Sequence, residues 1–140
     1  MTVKDRYAGI QTIFGVCNVN GCHFLTLCSI IEDYNRISNP SYTLDTIDAI
    51  RVSQSKGWFT PEFEGKDALA FLNYYTGKTW SRKEVKTLPN KIEDNEYTEV
   101  VFYNPRTKFR HFRRRYVDTL VDSVTVREGI VEKYYIYTVR

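Results

Sequence analysis

The chain has 140 residues, with 42% of them apolar, which suits one compact domain with a real core. The net charge of +3 is too mild to imply nucleic acid by itself. Three cysteines, Cys17, Cys22 and Cys28, are odd in number and closely spaced, which argues against a disulfide framework. With only His23 and His111 to add to them, no ligand set for structural zinc stands out, and no metal or other cofactor is expected.

No apolar run reaches transmembrane length, and the opening MTVKDRYAGI lacks the apolar core of a signal peptide. The expectation is therefore a cytoplasmic protein that does not enter a membrane. Residues 1–21 read as an irregular or partly helical lead-in, with Ile10, Ile13, Phe14 and Val16 apolar and Gln11 the polar residue of note.

The pattern then becomes helical. In CHFLTLCSIIEDYN, Phe24, Leu27, Ile31 and Tyr34 recur at helical spacing, joined by Leu25, Cys28 and Ile30. The opposite stripe is Cys22, Thr26, Ser29 and Asp33. Asn20 and Gly21 suit the turn before a helix, with Asn20 as a candidate N-cap. A helix over about residues 22–35 follows. A cysteine in its first turn faces unsatisfied backbone N–H groups and the positive end of the helix dipole, both of which favour a thiolate. Equally, Cys22 can be read as a small core residue at a helix start.

Asn39-Pro40 breaks this helix. Thr43 is a candidate cap for a second helix over about residues 44–56, with Leu44, Ile47 and Ile50 inward and Gly57 at its stop. A third, over about residues 66–76, lies between Gly65 and Gly77, with Leu69, Leu72 and Tyr75 at helical spacing. Trp58 and Phe59 anchor the loop between the two.

From residue 80 the period changes. Glu84–Leu88 reads as a short strand, Glu96–Tyr103 (EYTEVVFY) as a longer one, and Asn104-Pro105-Arg106-Thr107 as a turn. Phe109–Val117 would return as the paired strand, and Val124–Arg127, Gly129 and Val131–Val139 as a final hairpin or bent strand. Helices first and antiparallel strands afterwards define an α+β domain spanning residues 1–140.

A cysteine nucleophile requires a base. His23 follows Cys22 directly, and adjacent residues on a helix diverge. His111 lies on a predicted strand 89 residues later. Cysteine on a helix and histidine on a later strand is the chain order of papain-like cysteine peptidases. Asn20-Gly21-Cys22-His23-Phe24-Leu25 resembles the start of the nucleophile helix in small papain-like domains, among them the leader-cleaving peptidases of bacterial exporters and small bacterial and phage domains. His111-Phe112 resembles their His-Phe strand. Asp118-Thr119-Leu120, then Ser123-Val124-Thr125-Val126 and Gly129, is similar to their tail.

The resemblance implies a papain-like fold and a cysteine hydrolase acting on a peptide or protein, with Cys22 as nucleophile and His111 as base. It further implies Asp118 as the residue orienting the imidazole and Gln11 as the oxyanion donor. Two spacings depart from the family. His111 and Asp118 are seven residues apart. In straight extension that separation exceeds 20 Å, at roughly 3.3 Å per residue. A bend is needed, or Asp122 takes the role. Gln11 also stands at a more family-like interval from Cys17, which leaves Cys17 as a minor alternative nucleophile.

The rival reading is a non-catalytic binding module. Arg106, Lys108, Arg110, Arg113, Arg114 and Arg115 fall within ten residues, interleaved with Phe109, Phe112 and Tyr116. Such a strand could hold phosphates and stack bases, or contact an acidic protein. A solvated charged face is the plainer explanation of the same residues.

Overall fold

The computed structural model describes residues 21–114 and 129–140. Three helices precede four antiparallel strands, so the fold is α+β. The helices are α1 (Gly21–Ser38), α2 (Thr46–Ser55) and α3 (Ala68–Thr76). The strands are β1 (Trp80–Val85), β2 (Glu96–Tyr103), β3 (Arg110–Arg114) and β4 (Ile130–Val139), ordered β1-β4-β2-β3 across the sheet.

Every residue of α1 from Gly21 to Glu32 is buried, as befits a helix packed on most of its circumference. The buried Glu32 carboxylate is satisfied locally. Its Oε2 accepts from the Leu44 backbone N–H at 2.9 Å, and Arg36 stands 3.5 Å from its Oε1. One carboxylate thus ties the last turns of α1 to the connection into α2.

Helix α2 is shorter than its sequence pattern suggested, because its cap is Asp45 rather than Thr43. The Asp45 side chain accepts from the Asp48 N–H at 3.0 Å. That start rotates the inner face. Ala49, Ile50, Val52 and Ser53 are buried, and Ile47, expected inside, is exposed. Asp67 caps α3 in the same way, through the Ala70 N–H at 3.0 Å, which removes residues 66 and 67 from the helix. Gly77 ends α3 with φ of 69°, the left-handed conformation that glycine adopts at least cost.

The loop between α2 and α3 folds back on itself. The Trp58 carbonyl accepts from both Lys66 and Asp67, and Phe59 bridges to Gly65. This turn carries Phe59, Phe63 and Gly65 to the N-terminal end of α1.

Strand β1 begins at Trp80, not at Glu84. The Trp80 backbone N–H binds Asn73 Oδ1 at 2.8 Å and its indole N–H binds Thr76 Oγ1 at 2.7 Å, so the strand starts directly off α3. The buried indole outweighs the charged residues behind it. Strand β2 spans the residues expected of it. The Asn104 turn delivers β3, with Asn104 Oδ1 accepting from the Arg106 N–H at 2.9 Å. Arg110–Arg114 form a strand within the predicted Phe109–Val117. Strand β4 shifts register against β2 between Val101 and Phe102.

One sheet face carries Trp80, Arg82, Tyr135, Tyr137, Tyr97, Glu99, Val101, Phe112 and Arg114, as pairing register and strand alternation require. This face packs on α1. The core joins its Trp80, Tyr137 and Val139 to Phe24, Leu27, Ile31, Phe59, Phe71 and Leu72 of the helical layer.

Candidate functional site

Cys22 and Cys28 are reduced thiols, both wholly buried. Cys22 heads the stripe that continues through Thr26, Ser29 and Asp33, and this stripe lies along β3. The Thr26 hydroxyl is 3.2 Å from the Phe112 carbonyl, and Arg114 Nη1 is 3.2 Å from Ser29 Oγ and 2.7 Å from Asp33 Oδ2. Helix and edge strand advance in the same direction, Thr26 beside Phe112 and Asp33 beside Arg114. One turn back along α1 is Cys22, and one residue back along β3 is His111.

The register therefore sets Cys22 and His111 at the same end of the α1–β3 contact. Alternation turns their neighbours differently. Phe112 and Arg114 face α1, whereas His111 leaves β3 on the side of Phe102, with ring centroids 6.5 Å apart. The His111 side chain is buried. Gln11, Cys17, Arg115, Asp118 and Asp122 lie outside the described residues.

A second cluster joins α1 to β2 and β4. His23 Nδ1 is 2.7 Å from Glu99 Oε2, and the Tyr137 hydroxyl donates to Glu99 Oε1 at 2.8 Å. Glu99 and Tyr137 are completely buried. Burial, and after it the Glu99 negative charge, push the Tyr137 hydroxyl well above its ordinary pKa, so it stays a donor. Glu99 in turn accepts the Nδ1 proton, which leaves Nε2 as the other polar atom of the His23 ring.

The His23 ring lies 4.8 Å from the Phe112 ring and 5.8 Å from that of Phe59, centroid to centroid. Its Cδ2–Nε2 edge runs against Gly65, where a Cβ would come within 2.9 Å of Cδ2 and 3.0 Å of Nε2. Glycine is required there for close approach. Beside the ring is a pocket of about 250 Å³ lined by His23, Phe63, Gly65, Arg82, Phe112 and Tyr135, with Glu64 at its wall.

His23 cannot take the proton of the adjacent thiol, and its partner is Glu99 instead. A signal for it exists. Glu99 falls at the same strand parity as Tyr97 and Val101, so a carboxylate sits at an inward position of an otherwise apolar strand. An inward charge needs a partner, and His23 is a neighbour of Leu27 on the helix face that meets the sheet.

The arginines of β3 are engaged within the chain. Arg110 grips Glu132 with two hydrogen bonds, at 2.9 and 3.0 Å. Arg114 holds Asp33 and Ser29, and the Arg113 guanidinium lies 5.2 Å from the Phe102 ring centroid. Gel-shift titrations with single-stranded and duplex oligonucleotides are expected to show weak binding at most at ~50 mM salt, because two of these charges already have carboxylate partners. Tight binding with a log–log salt slope of several units would reverse that expectation.

Among the described residues, no three His, Cys, Asp or Glu side chains converge as metal ligands, and no helix is long and apolar enough to cross a membrane. Comparison with protein-family models, with curated proteins and with solved structures returned no significant match. The chemistry of the residues themselves must carry the functional reading.

Proposed function

We propose that the chain is a papain-like cysteine hydrolase acting on an amide or isopeptide bond. Cys22 is the nucleophile and His111 the base, with Asp118 or Asp122 orienting the imidazole and Gln11 supplying the oxyanion donor. The Cys22 thiolate attacks the carbonyl carbon, and protonated His111 then gives its proton to the leaving amine. Water hydrolyses the thioester, returning the thiol.

The observation that carries this reading is the register between α1 and β3. A helix headed by a cysteine runs beside a strand bearing the candidate base, and both residues stand at the same end. The contact is made at the strand edge, since Thr26 binds a backbone carbonyl of β3. The alternative, a module that binds nucleic acid or an acidic protein through Arg110, Arg113, Arg114 and Arg115, has less support, given the pairing of Arg110 and Arg114.

Alkylation tests the proposal. Iodoacetamide labelling mapped by peptide mass is expected to modify Cys22 rapidly at neutral pH, as a nucleophilic thiol does. Cys28, in mid-helix and in the core, should remain protected. Both thiols are buried, so the comparison between them controls for opening of the fold. Equal and slow labelling of the two near pH ~8.5 would remove Cys22 as a nucleophile.

A further inference from the structure

The pocket at the His23 ring is built more carefully than a core histidine needs. Its floor is a relay in which Tyr137 and His23 share the Glu99 carboxylate, fixing the ring and presenting Nε2. At its rim stands Arg82, with its guanidinium carbon 4.5 Å from the Tyr135 ring centroid. Its guanidinium also bonds the Tyr137 hydroxyl, and its remaining N–H groups are donors a carboxylate can use. Phe63 and Phe112 supply aromatic wall, and Gly65 keeps the ring edge uncovered. The volume, about 250 Å³, lies below the roughly 300–1,000 Å³ of drug-sized ligand sites, so only a small body fits.

The charges around the imidazole come from every element that meets it. Glu99 faces it from β2, Arg82 from β1, and Tyr135 and Tyr137 from β4. Glu64 lies in the loop, its carboxylate 3.2 Å from Lys66. Glu99 is engaged by His23 and Tyr137, and Glu64 by Lys66. Arg82 at the mouth is hydrogen-bonded to Tyr137, a bond that uses one of its five N–H donors.

We propose that this pocket binds a carboxylate borne on a small, flat apolar body. Its oxygens are held by the Arg82 guanidinium and by His23 Nε2, and its apolar part lies against Phe63 and Phe112. A planar carboxylate suits one guanidinium fork between aromatic walls. With a proton on Nε2, the ring donates to the anion. The inference requires no role for Cys22 and stands whether or not the hydrolase reading does.

The test is a titration followed by the His23 ring resonances in NMR spectra. N-acetylphenylalanine, which carries the carboxylate of a peptide C-terminus, and benzoate, a free flat acid, are the probes. N-acetylphenylalanine amide is the control. At least one acid is expected to produce saturable shifts, and the amide none. The preference between the acids tells a peptide terminus from a free metabolite-like acid. Arg82→Gln, at an exposed position, should weaken binding by about tenfold or more. His23→Gln should also weaken binding of the acids. Absence of any shift with both acids at ~20 mM would overturn the proposal, a concentration well beyond a useful small-ligand affinity. Equal binding of the amide, or unchanged affinity in Arg82→Gln, would overturn it as well.

Discussion

Replacing Glu99 with alanine is expected to destabilise the protein by about 3–5 kcal/mol, the range for removing one member of a buried charged pair. The size follows from what is left behind. His23 Nδ1 and the Tyr137 hydroxyl both lose their partner, and Tyr137 is wholly enclosed. Each unsatisfied buried donor costs about 1–3 kcal/mol, and the cavity adds to it. Glu99→Gln should cost less, about 1–2 kcal/mol, because its carbonyl still accepts from Tyr137. Its amide would donate to Nδ1 and force the proton to Nε2, so the ring keeps its place but exchanges its tautomer. Urea denaturation of the two variants checks this. A loss under about 1 kcal/mol for Glu99→Ala would mean that water or a rearranged Tyr137 replaces the carboxylate.

The parts of the fold that could be read from the chain are those governed by local patterns. The 3.6-residue period of Phe24, Leu27, Ile31 and Tyr34 marks α1, and the stop at Gly77 reflects a backbone conformation that favours glycine. The alternation in EYTEVVFY marks β2 because one of its faces must meet the helices. What could not be read depended on contacts between distant residues. Trp80 starts β1 through Asn73 and Thr76, two side chains of the preceding helix that no strand pattern reveals. Asp45 rather than Thr43 caps α2, and the choice between two good capping residues rests on where α1 releases the chain, at the Glu32–Leu44 contact.

The candidate site divides in the same way. A cysteine at a helix start is a local feature, and Cys22 stands where the pattern put it. Which end of α1 lies along β3 depends on the α1–β3 register, set by Thr26, Ser29 and Asp33 meeting β3, and strand alternation turns His111 to the Phe102 side. The His23–Glu99 contact joins residues 76 apart in the chain, and only parity on the strand hinted at it. The arginine cluster was legible as charge but not in its partners. Six basic residues in sequence suggested a surface for a partner, but charge in sequence says nothing of the carboxylates brought in from elsewhere. Glu132 from β4 and Asp33 from α1 meet Arg110 and Arg114 in the folded chain.

Phe71→Ala is expected to remove about 3–5 kcal/mol, a large share of the total stability of a domain this size. Phe71 is completely buried on α3 and is the ring on which the helical layer converges. Phe24 of α1 lies 5.4 Å away, Phe59 of the loop 5.6 Å, Tyr75 5.4 Å and Trp58 6.3 Å, all centroid to centroid. The Phe59 and Tyr75 rings meet it edge to face, an arrangement that adds about 0.5–1.5 kcal/mol per pair beyond area burial. Those partners come from three different segments, so the cavity left by alanine cannot close by moving one of them. Phe71→Leu fills most of the space and should cost markedly less. The loss should reach the site, because Phe59 also touches the His23 ring. In urea unfolding monitored by circular dichroism, Phe71→Ala should shift the midpoint sharply downward. At denaturant concentrations below that midpoint, its His23 ring resonances should broaden before the sheet unfolds. A midpoint within about 1 kcal/mol of wild type would show that the aromatic layer repacks around the gap, and that the loop bearing Phe59, Phe63 and Gly65 is held to α1 by something other than these rings.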